Sequence, residues 1–501
     1  MGKHNRKRLC PAAGQEIERY ECAAGRHTKY QCPESCPHNP FSADRYQDFL
    51  LLERRADEHF INWLRRGGKD LSALAELMSG FGTSAEPQAA YFHRICREGI
   101  YRTGTGGSRA YDAWVDSFSA ADTDTRFVLA ARKRMAPCVI EVQYVLDEVR
   151  TRAIDLLDPS GTPFLIADRS LARHAGRFFV YAGHLYPLPH FCRLFGTAIR
   201  IPSFGRLAMG EAIRLLLEHL GGPAAAEHPK VWLGENFELF ERALRSSAIA
   251  RRKAMMENVD AYFGKALYKL NASPEAATAA LARHPDLRPD RLSEDERREG
   301  FSSATCVYAR DTDEERRTAG PDAVLGRILV GPLYMRLEAM GGARLDKLRG
   351  RFEEYMGSLV QFEAERRDNL ARRLALSEPG HDPQLVPPKL VENVPQLATG
   401  VSRVAVPEGV SPEQVAAAAR KNADRRFLDE PLPGLRGASP RAAVSDPELR
   451  SILITMMKER VAMADEQSLE RGVAEDPTWM LEELGLKEIC FPPPLAFRRG
   501  A

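Results

Sequence analysis

Val139-Ile140-Glu141-Val142-Gln143-Tyr144-Val145-Leu146 is the stretch that sets the reading of this chain. β-Branched and aromatic residues crowd it, and such side chains suit the half-buried, pleated surface of a strand better than a helix. The series begins near Pro137, directly after a helical pattern at Arg126 to Met135. Downstream, Asp158-Pro159-Ser160-Gly161 reads as a turn between strand-like runs at Ala153 to Leu157 and Phe164 to Ile166. Further runs lie at Phe178 to Tyr186 and Phe191 to Ile201. This spacing predicts a compact sheet or small barrel over residues 137–205.

On either side the periodicity is helical. Upstream, Phe49, Leu50, Leu52, Ala56, Phe60, Trp63 and Leu64 recur at the spacing of one helix face, from Asp44 onward. Shorter helical patterns fall at Leu71 to Met78, Ala89 to Cys96 and Ala110 to Phe118. Downstream, helix is expected over Arg206 to Leu220, ending at Gly221-Gly222-Pro223, and again from Glu235 to about Leu281. Residues 282–300 read as a linker. Thr305 to Ala309 and Leu325 to Glu338 suggest strands, and Arg344 to about Leu374 a long helix. After a proline-rich connection, Ser411-Pro412-Glu413-Gln414 combines a serine cap, an N1 proline and a glutamine three residues on, which marks a helix start.

The densest chemical signal is at the front. Cys10, Cys22, Cys32 and Cys36 are separated by eleven, nine and three residues, and three of them precede proline. Four thiols brought together by loops are what a closed tetrahedral Zn²⁺ site takes, with no position left for substrate. His4, His27 and His38 are alternative fourth ligands. The chain holds nine cysteines, an odd number, and the other five are scattered singly, so a disulfide framework is not the expectation. Cysteines that simply pack, or a Cys32/Cys36 redox pair, are the competing readings.

Composition narrows the function classes. Lys plus Arg (71) nearly balances Asp plus Glu (69), so net charge gives no case for a nucleic-acid-coated or membrane-bound surface. The basic cluster Lys3, Arg6, Lys7 and Arg8 is the exception, and it could touch phosphate or be a plain solvated terminus. Cys10 to Glu21 is polar and proline-interrupted where a secretory signal carries an apolar core, and no run reaches a membrane span. The expectation is a cytoplasmic protein with no membrane partner.

Three further features bear on chemistry. Thr103-Gly104-Thr105-Gly106-Gly107 has the look of a phosphate cradle, but no strand precedes it and no Lys-Ser or Lys-Thr follows, so it reads as an interhelical loop. His174, His184, His190, Cys192 and Asp168 fall in the β-rich unit and would centre a thiol or hydrolytic enzyme. Their apolar neighbours favour packed histidines and a buried thiol. No Gly-x-Ser-x-Gly elbow, His-Glu-x-x-His helix or Walker loop is present in the sequence. Near the C-terminus, Phe427, Leu428, Pro431, Leu435 and Pro440 form a partner-binding candidate, with Pro431 and Pro433 holding an extended segment and Ser439-Pro440 opening a short helix. Asp446-Pro447 opens another helix, with Leu449, Ile452, Leu453, Met456 and Met457 along one side. Self-packing of a small helical domain is the alternative there.

That segment resembles the toxin-binding domain of the Xre/MbcA/ParS antitoxin family, in which an aromatic-Leu, a Pro-x-Pro turn, a Leu-x-Gly and a Thr/Ser-Pro precede a helix. The elements fall on Phe427-Leu428, Pro431 to Pro433, Leu435 to Gly437 and Ser439-Pro440. The order of a Cys-Pro cluster ending in Asn39-Pro40-Phe41, then helices and a small β unit, looks like a group of large bacterial proteins with an N-terminal Cys-rich, SEC-C-like metal-binding module. These resemblances imply metal binding, bacterial origin and a protein partner of toxin-like kind.

The sequence therefore predicts a multidomain α+β protein, mostly helical, with a small β-sheet or barrel unit and a metal-stapled module held by four cysteines. The expected divisions are 1–42 zinc module, 43–136 helical, 137–205 β-rich, 206–300 helical and linker, 301–375 mixed, 376–410 linker, and 411–501 helical and partner-binding. The expected function is a non-enzymatic, zinc-stabilised protein-binding or regulatory protein, with nucleic-acid binding and a thiol or hydrolytic enzyme as alternatives.

Overall fold

A computed structural model describes residues 7–66, 115, 122–205, 207–257, 262–313, 323–369, 382–392, 411–472 and 476–500. The helical patterns at Leu71 to Met78 and Ala89 to Cys96, most of Ala110 to Phe118, the Thr103 to Gly107 run, His4, Lys3 and Arg6 lie outside them. The fold is α+β and multidomain. It divides into a discontinuous unit, Met1–Leu244 with Pro431–Ala501, and a central unit, Arg245–Glu430.

The discontinuous unit starts with a hairpin of β1 (Arg8–Cys10) and β2 (Gln15–Ile17), then α1 (Arg19–Gly25), α2 (Tyr46–Arg66) and α3 (Thr123–Lys133). The β-rich stretch is a closed barrel of five strands: β3 (Ala136–Val145), β4 (Arg150–Asp155), β5 (Phe164–Ala167), β6 (Val180–Pro187) and β7 (Cys192–Ile201). Between β5 and β6 lies α4 (Arg169–His174), whose cap Asp168 accepts from Leu171 N at 2.9 Å. Strand order is β3-β4-β5-β7-β6, closed by β3 on β6, with β5 and β7 parallel. That is the Greek-key connectivity of the OB barrel. Ile140, Val142, Ala153, Ile166 and Leu194 fill its core. Alternation along β4 buries Thr151, Ala153 and Asp155 and turns Arg150, Arg152 and Ile154 outward.

α5 (Met209–Glu227) and α6 (Pro229–Glu257) follow. In α5 the expected stop at Gly221-Gly222-Pro223 is a break inside the helix, where Gly222 adopts φ +70°.

The central unit corrects several expectations. Helix does not continue from Glu235 to Leu281: α6 ends at Glu257, and Tyr262–Leu270 is strand β8. Its side chains alternate, with Ala266, Tyr268 and Leu270 buried and Lys265, Leu267 and Lys269 more exposed, and pairing on both sides overrides the helical propensity of its alanine and lysines. Next come α7 (Pro274–Leu281), β9 (Leu287–Asp290) and α8 (Glu294–Arg298), so residues 282–300 are structured rather than a linker. Then follow β10 (Ser303–Tyr308), β11 (Val324–Val330), β12 (Tyr334–Met340), α9 (Gly342–Met356) and β13 (Val360–Asn369). The helix expected to reach Leu374 stops at Met356, because Gly357 takes φ +50° and the chain turns back to pair with β8. These strands form one antiparallel sheet, β13-β8-β12-β11-β10-β9. Leu345, Leu348 and Phe352 of α9 pack on Ile328, Met335 and Leu337. A Cβ at Gly326 would stand 2.4 Å from the Glu338 carbonyl and 2.7 Å from the Leu348 side chain, so glycine is required for the close approach of α9. α10 (Pro412–Asp429) starts at the expected Ser411-Pro412 signal and ends the unit.

α8 carries a capping box: Ser293 Oγ accepts from Glu296 N at 3.2 Å, and Glu296 accepts from Ser293 N at 2.8 Å. Arg327 donates to the same carboxylate at 2.6 Å and holds it below the ordinary glutamate range, against the opposing effect of burial. A depressed carboxylate adds stability at pH above its unfolded value and loses it as the pH falls through the folded one. The urea midpoint of the central unit is therefore expected to drop on acidification from about pH 5 to about pH 3. Glu296→Gln should cost about 1 kcal/mol at neutral pH and flatten that slope. An unchanged slope would show that Glu296 is not the group responsible.

Back in the discontinuous unit, α11 (Pro440–Ala443), α12 (Pro447–Arg471) and α13 (Thr478–Glu483) complete the chain. The first two start at the expected caps: Ser439 accepts from Ala442 N, and Asp446 from Glu448 N and Leu449 N. Among the described residues no helix is long and apolar enough to cross a membrane.

Candidate functional sites

The cysteine module is built by short-range turns. The β1–β2 hairpin sets Cys10 opposite Gln15, and α1 carries Cys22. A tight turn, with Cys36 N donating to Pro33 O at 3.1 Å, lies between the last two cysteines, which have three residues between them. All four cysteines are 6% exposed, and Cys10, Cys22 and Cys32 share one small cluster with Ile17 and Tyr30. Arg8 Nη1 donates to Cys22 Sγ at 3.8 Å, and Arg26 lies near enough for the Cys22 sulfur to favour its charged form. Burial raises the Cys32 thiol above its ordinary value, and Cys36 and Cys22 lie close enough to push it the same way. Among the described residues no three His, Cys, Asp or Glu side chains are grouped as ligands of a metal ion. Cys10, Cys22 and Cys32 pack as small side chains around Ile17 and Tyr30. Four soft donors lie within one short segment, and two guanidiniums near Cys22 would offset the charge of a thiolate there. His27 is turned away, holding Asn39 Oδ1 at 3.0 Å and packing edge-on to Phe41.

The module is fastened to the barrel. His190 Nε2 meets the Cys32 carbonyl at 2.9 Å, and Arg26 pairs with Asp124 of α3. Phe41, Phe49 of α2 and Val128 of α3 are buried in one core with Ala167, Leu188 and Phe191, while Val149 and Leu165 pack against it. OB barrels take oligonucleotides on the second and third strands and on the loops joining strands one to two and four to five. Here Val149 lies in the first loop, Leu165 and Ala167 on the third strand, and Leu188 and Phe191 in the last loop. The two loops and the third strand of that face are packed against the chain itself.

The residues considered for thiol or hydrolytic chemistry serve the fold. His184 is 3% exposed with its ring 4.3 Å from that of Phe237, and His174 Nδ1 bonds Ser170 O at 2.9 Å. Burial pushes the Cys192 thiol up to about 11, away from the thiolate a nucleophile needs. Asp168 caps α4 and pairs with Arg193.

The C-terminal candidates are divided. Leu428, Leu435 and Pro440 are buried, Phe427 is half-buried and Pro431 is exposed. A partner arriving at this segment would meet Pro431 and the exposed Arg436, because the leucine anchors are used internally.

Sequence reading missed a cleft of about 410 Å³ between α12 and the barrel. Its floor is apolar, with Phe178, Phe179, Ile201 and Phe204 each buried. Its sides are tied by polar bridges: Lys458 to Glu141 at 2.6 Å, Arg200 to Glu466 at 2.7 Å, and Ser203 to Glu459 at 2.7 Å. Phe178 holds φ +62°, a left-handed backbone that a non-glycine residue adopts only when its surroundings enforce it. The walls lie more than 200 residues apart in sequence, so no local motif announces them; the i, i+4 series Thr455, Glu459, Met463 and Lys458, Ala462, Glu466 along α12 was the available signal.

The chain matches no family model, no curated protein and no solved structure.

Proposed function

We propose that this chain is a non-enzymatic, cytoplasmic binding protein of regulatory type, its N-terminal module stapled by one structural zinc ion and its ligand taken in the cleft beside α12. The observation that carries the reading is how the barrel's surface is used. One face is sealed by the cysteine module with α2 and α3, and another opens on the cleft, where no histidine or cysteine is among the described lining residues. The sealed face speaks against oligonucleotide binding in the manner of OB barrels.

Zinc explains why so small a cluster of apolar residues suffices for the module. A segment of this size has too little core to hold itself together without a staple or a docking surface. Closing four thiols on Zn²⁺ would make metal binding part of its folding free energy. Protein purified without chelator is expected to contain one zinc per chain by elemental analysis, and Cys32→Ser to lower that occupancy. Removing the metal should reduce the melting temperature of the discontinuous unit by about 5–10 °C. Protein free of stoichiometric metal that melts unchanged in chelator would overturn the zinc assignment.

A further inference from the structure

Among its described residues the cleft beside α12 has more carboxylates than cations. Among the described residues five charged side chains line it: the cations Arg200 and Lys458, and the carboxylates Glu141, Glu459 and Glu466. Lys458 is taken by Glu141, and Arg200 by Glu466. Glu459 is left with the Ser203 hydroxyl, at 2.7 Å, and has no cationic partner among the described residues. The start of α5, Met209 and Gly210, forms part of the rim, but that helix carries its own acid, Glu211, in its first turn.

The cleft's rings already act as cation acceptors. The Arg200 guanidinium stands 3.8 Å from the centroid of Phe179, and Lys458 Nζ 5.3 Å from that of Phe178. A phenyl face attracts a cation through its quadrupole, most strongly where water is excluded. A largely apolar hollow of this volume, with few polar groups and one carboxylate lacking a counter-charge, has the make-up of a small-molecule site.

We propose that the cleft binds a small organic cation: a protonated amine at Glu459, with an apolar or aromatic body between Phe178, Phe204 and the Ala462 face of α12. This rests on the cleft being the binding site, and the two claims separate in one experiment. The probes are 4-phenylbutylamine and 4-phenylbutan-1-ol, which share an apolar body and differ in charge, titrated calorimetrically into the full chain. The amine is expected to bind about tenfold more tightly, the worth of one charge-assisted hydrogen bond. Glu459→Gln should remove that advantage and leave the alcohol's affinity unchanged. Ala462→Phe, which fills the hollow, should abolish binding of both, with melting curves reporting that each variant is folded. Equal binding of the two probes by the wild-type chain would overturn the cation assignment while the cleft stands. Binding of neither at millimolar concentration would overturn both, and the zinc assignment is decided separately by metal analysis.

Discussion

Arg177→Ala is expected to destabilise the discontinuous unit by about 3–5 kcal/mol, because it strands a buried carboxylate without its counter-ion. Arg177 and Asp465 are each 1% exposed, and the pair joins the entry to β6 with the middle of α12. The guanidinium donates to Asp465 from Nε at 3.0 Å and from Nη2 at 2.6 Å, and the Arg177 amide adds a third bond at 2.7 Å. Its remaining donor, Nη1, serves Asp476, Thr478 and the Phe491 carbonyl, at 3.1, 2.7 and 3.1 Å. One side chain thus bolts α12, the start of α13 and the tail onto the barrel. Gly176 allows the approach, since a Cβ there would stand 2.8 Å from Asp465 Cβ. The check is a urea titration followed by circular dichroism. Replacing both partners together, Arg177→Met with Asp465→Leu, should recover most of the loss, because an apolar pair leaves no unmatched charge. A single-variant cost under about 1 kcal/mol would refute the account.

Glu53→Ala is the second large effect, again about 3–5 kcal/mol. Glu53 sits on α2 and accepts from the Tyr186 hydroxyl on β6 and from Arg193 Nε on β7 at 3.1 Å, while Arg132 of α3 stands 3.6 Å away. Arg132 also pairs with Asp57 at 2.5 Å, and Arg193 with Asp168. Burial and the Glu53 charge hold the Tyr186 hydroxyl well above its usual range, so it stays a donor. Removing Glu53 leaves two buried guanidiniums short of negative charge; Glu53→Gln keeps an acceptor and should cost less, about 1–2 kcal/mol. Combining Glu53→Ala with Arg193→Met should give a loss clearly smaller than the sum of the single losses, as expected for members of one network. Strict additivity would show that the two side chains act independently. Since this network secures α2 and α3 to the barrel, Glu53→Ala should also loosen the cover over the OB-type face.

Much of the local structure was legible from residues near in sequence. The β-branched series after Pro137 became β3, the Asp158-to-Gly161 turn separates β4 from β5, and the Ser411, Ser439 and Asp446 starts all open helices. Each rests on a preference a few residues long: branched side chains on a pleat, or a side-chain oxygen meeting free amides. Where two tendencies competed, the reading failed. Tyr262–Leu270 holds both an alternating and a helical pattern, and the sheet decided between them because its partners β12 and β13 come about 70 and 100 residues later.

Taken alone, the amino-acid order determined an α+β chain, a β-rich middle and four cysteines within the first 36 residues, since these depend on composition and short spacing. Only the tertiary structure decided that the barrel closes, that its OB-type face lies under the chain's own N-terminal elements, and that Arg177 and Glu53 are buried anchors. It alone also decided that Glu459, with just the Ser203 hydroxyl for a partner among the described residues, faces a hollow lined by phenyl rings. The reason is physical: charge balance and desolvation belong to the groups that meet in space, and here those groups come from segments up to 317 residues apart.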